Sequence, residues 1–332
     1  MKAIISIDQK IINTLLLNAS FIDNIGLMHG KMGICIYFFH LGRKTGIKMY
    51  EEYAGELIDE IYEEINTTTP LNFENGLAGI GWGVEYLVQN RFIEANTDEV
   101  LADFDTKLCN ASLNIGIKNL SILTGAIGIV PYFLSRIKNP DSSDNKIPTL
   151  TIKHYLILLI DSIDLMLTDI PNFIKEPDKF DITWNYPMLL WLLAKIHILK
   201  IYKYKVEKII NKLVAPLQNK NNLPKLHSNR FLLAYTLSEI FNSYKTPITN
   251  EFSIKLFETI DIKVIYHEIQ SDNSIRYGKA GMSQMIKKMP EYKEQWDKII
   301  CNSFKEYESF LNDAKINFGI LEGITGTLLT SL

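Results

Sequence analysis

Gly76-Leu77-Ala78-Gly79, running on into IGWGVEYL (80–87), sets two glycines three apart at the head of an apolar run of helical character. The same phrase recurs as Gly30-Lys31-Met32-Gly33 before ICIYFFHL and Gly125-Ala126-Ile127-Gly128 before IVPYFL. It returns as Gly278-Lys279-Ala280-Gly281 before MSQMI and Gly323-Ile324-Thr325-Gly326 before TLLTSL. Successive first glycines stand 46, 49, 153 and 45 residues apart, and the long interval divides into three of 51. Two eroded copies fill it, so the chain reads as seven units. A repeat of this length marks a closed ring or a solenoid.

Between the glycine phrases lie helical segments of a different texture. EEYAGELIDEIYEEI (51–65) and TDEVLADFDTKLCNASL (97–113) are amphipathic, with acids in or near their first turns, where the helix dipole favours them. Segments 151–167, 205–217, 251–269 and 291–314 continue the series. The post-glycine helices are apolar almost all round and are expected to be buried, whereas the charged helices must expose one face. Seven such alternations predict an all-α toroid, an α/α barrel of about seven inner and outer helix pairs forming one domain over 1–332. The glycines are assigned to packing at inner-helix N-termini, where they admit close backbone approach and φ angles that other residues resist. The polar stretch NPDSSDNKIP (139–148) reads as a loop within the repeat.

Bulk properties narrow the function. A net charge of −3 gives no electrostatic reason to expect nucleic acid. Cys35, Cys109 and Cys301 lie far apart in helix-like sequence, which suggests free thiols in a reducing compartment and no disulfide framework. The most apolar runs, YLILLI (155–160) and PMLLWLLA (187–194), are bounded by charges and fall short of a membrane span. The expectation is a cytoplasmic protein without a membrane span.

The phrases GLMHGKMGI, NGLAGIGWGVEYL, LTGAIGIVPYFL and LEGITGTLLTSL resemble the repeats of the lanthionine synthetase C-like family. The resemblance covers nearly the whole chain. It implies an α/α toroid whose inner helices present a catalytic zinc at one end of the central cavity. It also implies addition of a peptide cysteine thiol to dehydroalanine or dehydrobutyrine, zinc lowering the thiol pKa and holding the thiolate. Zinc-bearing members carry Trp-Cys-Tyr-Gly in the fifth unit, Cys-His-Gly in the sixth, and a His-Gly phrase in the fourth as a proposed acid/base. This chain departs at each place. The sixth unit reads Arg276-Tyr277-Gly278, the fifth is best placed at Lys225-Leu226-His227-Ser228, and the fourth at Thr183-Trp184-Asn185-Tyr186-Pro187. Leu226 then stands where a cysteine ligand belongs, and Tyr186 where the histidine would be. The three cysteines lie elsewhere, so no metal and no cofactor are assigned.

If the units superpose, the residues before each first glycine ring one mouth of the toroid: His29, Asn75, Thr124, Tyr186, His227, Tyr277 and Glu322, with Glu74, Asn185 and Arg276 one position outward. Helix N-termini at this mouth favour a carboxylate or phosphate. Catalytic candidates are His29, His227, Glu322 and Tyr186; candidates for peptide binding are Arg276, Tyr277, Glu74 and Asn75. Each also has a structural reading as a cap, an ion pair or a volume filler. The leading expectation is a zinc-less accessory or pseudoenzyme of lantibiotic biosynthesis. It binds a peptide substrate or precursor, with a partner modification enzyme as a further candidate. The alternatives are a cyclase with a metal site rebuilt from His29, His227 and Glu322, and a carbohydrate-active toroid using Glu74 and Glu322.

Overall fold

The computed structural model describes residues 2–113, 119–138, 147–244, 247–300 and 317–331, and contains helices and turns but no strand among them. The outer helix Lys48–Glu64 shows how sequence sets the layers. Its buried residues Tyr50, Ala54, Leu57 and Ile61 fall at helical spacing on one face, and most of its acids are exposed. The inner helix Lys31–Thr45 is buried continuously from Lys31 to Phe39 and ends on Gly46, whose φ of 71° forms a left-handed cap. Lys31 is admitted to this apolar layer because its ammonium reaches Glu60 at 2.8 Å and Glu64 at 2.5 Å on the outer helix.

Seven inner helices are described: Lys31–Thr45, Leu77–Gln89, Val130–Lys138 with its preceding 3₁₀ turn Ala126–Ile129, Asn185–Ile198, His227–Tyr244, Lys279–Ile286 and Ile324–Ser331. Each packs against the next, and Ile324–Ser331 returns to Lys31–Thr45, closing the ring. The expected α/α toroid is the fold. Outer helices alternate with the inner ones, but the segment 251–269 is two helices, Pro247–Phe257 and Ile262–Ile269. Asp261 breaks it by capping the second through the N–H of Lys263. Positions 139–146, 301–314 and Cys301 lie outside the described residues.

The glycine phrase has one recurring geometry. Gly30, Gly76, Gly125 and Gly278 each cap an inner helix with φ between −121° and −134°. These angles are open to other residues, so close approach and not left-handed geometry demands glycine. A Cβ on Gly76 would lie 2.1 Å from the carbonyl oxygen of Pro70, and on Gly79 2.1 Å from that of Phe73. In each copy the incoming loop lies across the helix start, and the first helical N–H bonds back to it, as in Leu77 to Pro70 at 2.8 Å and Lys279 to Asp272 at 2.9 Å. The second glycine also receives a neighbour: Leu27 packs over Gly79, Phe73 over Gly128, Ile275 over Gly326 and Ile320 over Gly33. The phrase is therefore a joint between units.

A buried polar hub reinforces the second and third units. The Arg136 guanidinium, 1% exposed, bonds Glu85 at 2.5 Å, Thr97 at 3.0 Å, Asp98 at 3.1 Å and Asp105 at 2.8 Å. Glu85 is fully buried, and Arg136 stands beside it as an opposite charge.

Candidate functional site

The loops before the inner helices meet at one mouth of the toroid, and their backbones form a belt around it. Met28 N–H donates to Glu74 O, Glu74 N–H to Leu123 O, and Ile122 N–H to the Asn185 side chain. Ile182 N–H then donates to Arg276 O, Arg276 N–H to Leu321 O, and Leu321 N–H back to Met28 O. The fourth loop bonds directly to the sixth, so the fifth stands outside the belt. Backbone polar groups here are thus used in closing the ring, and recognition falls to side chains.

Six of the expected mouth residues lie there with partners. His29 Nε2 lies 2.9 Å from Glu74 Oε1, both side chains about one-fifth exposed. Arg276 bonds Glu322 at 2.6 Å through Nη1 and reaches Asp181 at 3.3 Å through Nη2. Burial works against the Arg276 charge, but the bonds to Glu322 and Asp181 outweigh it and raise its pKa. Tyr277 lies beneath two cations, Lys179 Nζ at 3.3 Å and the Arg276 guanidinium at 4.7 Å from its ring centre. Burial raises the phenol pKa, Arg276 opposes the rise, and the carboxylates of Asp181, Glu322 and Asp272 add to it. Asn75 accepts from the Asn24 amide at 2.8 Å, tying the first loop to the second. Thr124 is exposed at the rim.

Two expected positions lie elsewhere. Tyr186 is 1% exposed and donates its hydroxyl to the Leu213 carbonyl, so it faces the outer layer; burial pushes its pKa far upward. The reason is register. Trp184 caps the fourth inner helix where other units have their first glycine, which sets Thr183, and not Tyr186, at the mouth. His227 is the first residue of its helix, and its Nδ1 accepts from Asp261 N–H, toward the outer layer. Two carboxylates clamp this helix start: Glu176 receives the N–H groups of Lys225 and Leu226, Glu268 those of His227 and Ser228. The anion site expected at this N-terminus is filled by the chain itself.

Asp181 and Lys179 were not singled out by the sequence reading. Counted from Trp184, Asp181 stands where five other units carry Leu27, Phe73, Ile122, Ile275 and Ile320. A charge at an apolar position of the repeat was the signal, and it becomes readable only once Trp184 is seen to replace a glycine. Cys35 and Cys109 are buried free thiols, and burial pushes Cys109 up to about 12, with Asp105 adding to the rise.

Residues 22–176 match the family model described as lanthionine synthetase C-like protein. Among solved structures, nisin cyclase superposes with a TM-score of 0.71 at 14% identity, over 99% of this chain and 93% of that one. No curated protein sequence matches the chain.

Proposed function

We propose that this chain is a zinc-less, peptide-binding member of the lanthionine synthetase C-like family, whose model its residues 22–176 match and whose fold, as seen in nisin cyclase, it follows along its length. In this reading residues 1–332 form one toroidal domain in the cytoplasm. It holds a precursor peptide at the mouth while a partner enzyme modifies it. The observation that carries the proposal is Arg276. It stands where the resemblance implies a metal-ligating Cys-His pair, locked between Asp181 and Glu322. A permanent cation there repels a dication, and a guanidinium has no lone pair to offer it. In the fifth unit, Leu226 supplies no ligand and its loop is clamped outside the belt. The residues present do not fit zinc.

What the mouth offers a peptide is the His29–Glu74 pair, the Lys179–Tyr277 stack and the remaining acceptor sites on Glu322. His29 and Glu74 exchange a hydrogen bond with each other and keep enough exposure to engage backbone or hydroxyl groups. The test is binding of a fluorescently labelled, dehydrated, cysteine-bearing peptide, followed by mass spectrometry with thiol trapping. Saturable binding without ring formation is expected, weakened by Glu74→Gln and Lys179→Met. Thioether rings made by the purified protein alone would overturn the proposal.

One observation favours a second reading. A histidine held by a carboxylate at 2.9 Å is how a general base is oriented, so a metal-free acid–base role is the enzymatic alternative. Ring formation that is lost in His29→Ala and survives chelation would select it.

A further inference from the structure

Away from the glycine loops two inner helices are partly exposed, at Trp82, Tyr86 and Gln89 in the second and at Trp191 and Lys195 in the fourth. Between the second, third and fourth inner helices, away from the glycine loops, lies a cavity of about 220 Å³. Its walls include Trp82, Tyr86, Leu134, Trp191, Leu192 and Lys195. Trp82 and Tyr86 stack with centroids 5.3 Å apart and planes at 20°, and His40 Nε2 holds the Tyr86 hydroxyl at 2.8 Å. Neither the Trp82 nor the Trp191 indole N–H has an acceptor among the described residues.

Charge defines one edge of this cavity. Lys195 Nζ lies 5.2 Å over the Trp191 ring and only 3.4 Å, a long contact, from Glu239. Glu239 also lines an open trough of about 640 Å³ with His197, Lys200 and Lys203, so the two spaces adjoin at the Lys195–Glu239 pair. The C-terminal dipoles of inner helices are negative at this end, but Lys195 in the last turn of the fourth helix offsets its share. The result is an aromatic slot with indole N–H donors that have no acceptor among the described residues and an ammonium at its lip, opening onto a channel edged by two more lysines.

We propose that this slot is a second binding site, which takes the aromatic C-terminal residue of a peptide. The ring enters among Trp82, Tyr86 and Trp191, the terminal carboxylate bonds Lys195, and the preceding residues run along the trough. The aromatic walls suit one stacked aromatic side chain, and the adjoining channel gives room for a chain that a free aromatic acid does not need. The site is separate from the glycine-loop mouth, so its failure leaves the function proposed above standing, and the reverse.

The test is calorimetric titration of the full chain with Gly-Gly-Gly-Phe, its C-terminal amide, and N-acetylphenylalanine. The peptide acid is expected to bind saturably and the amide about tenfold more weakly, because the charge-assisted bond is lost. N-acetylphenylalanine is expected to fall below the tetrapeptide. Lys195→Met should weaken the acid about tenfold without affecting the amide, with circular dichroism confirming its fold. Glu239→Gln should act in the opposite direction, tightening the acid by freeing Lys195. Equal binding of acid and amide, no binding, or unchanged affinity in Glu239→Gln overturns the site. Equal binding of N-acetylphenylalanine and the tetrapeptide overturns the peptide as its occupant.

Discussion

Replacing Arg276 by Met removes the cation from the mouth while keeping most of the aliphatic stem, so the change reports charge and hydrogen bonding more than packing. The guanidinium makes one short bond, 2.6 Å to Glu322, and longer contacts of 3.3 Å to Asp181. A hydrogen bond to a charged group contributes about 1.5–3 kcal/mol net. The Asp181 contacts belong at the weak end of that range, and the three side chains keep 14–33% exposure, which screens them. The expected cost is about 2–3 kcal/mol. Unfolding entropy of about 2.1 cal/mol/K per residue makes 332 residues worth roughly 0.7 kcal/mol/K, so Tm should fall by about 3–4 °C. Scanning calorimetry of both proteins at low and at molar salt reads this directly, and high salt should shrink the difference. Arg276→Lys should fall between, since one ammonium reaches a single carboxylate well. A Tm for Arg276→Met within about 1 °C of the parent, at low salt, would refute the claim that this cation ties the fourth, sixth and seventh loops together.

Gly76→Ala and Gly55→Ala should move stability in opposite directions by urea unfolding. The first drives a Cβ to 2.1 Å from the Pro70 carbonyl and should cost several kcal/mol, at least about 3. The second meets nothing within 4 Å in an outer helix and should gain about 0.5–1 kcal/mol. Arg136→Met strands the fully buried Glu85 and should cost about 3–5 kcal/mol, several times less if Glu85→Gln is made with it. His40 has its pKa lowered by burial first and by Arg43 second. Its neutral form is therefore favoured on folding, and its contribution is lost as pH falls from about 6.5. The slope of stability against pH over that window should flatten in His40→Gln.

The fold was legible because the joint between units is written in glycine. Gly30, Gly76, Gly125, Gly278 and Gly323 each face a carbonyl that no Cβ tolerates, so the phrase survives wherever the geometry does. Spacing misleads where other residues meet that geometry. Trp184 caps a helix that keeps the architecture without the glycine, and a three-residue slip there moved Tyr186 from the outer layer to the mouth. His227 was placed at the mouth by spacing alone. Sequence did not reveal that Glu176 and Glu268, about 50 and 40 residues away, clamp its helix outside the belt. Pairings such as Arg276 with Asp181, 95 residues apart, depend on ring closure and have no local signature. The residues six before the first glycines do have one. Asn24, Asn119, Asp272 and Asn317 each accept the N–H two residues on, a turn signal that extends the motif upstream.

We propose above that Arg276 and the displaced fifth loop leave this chain without zinc. Elemental analysis by mass spectrometry tests it most directly, on protein purified without chelator and then dialysed against zinc. No stoichiometric zinc per chain is expected, with Tm unmoved by added zinc or by chelator. One tightly held zinc per chain, lost on chelation together with thermal stability, would contradict it.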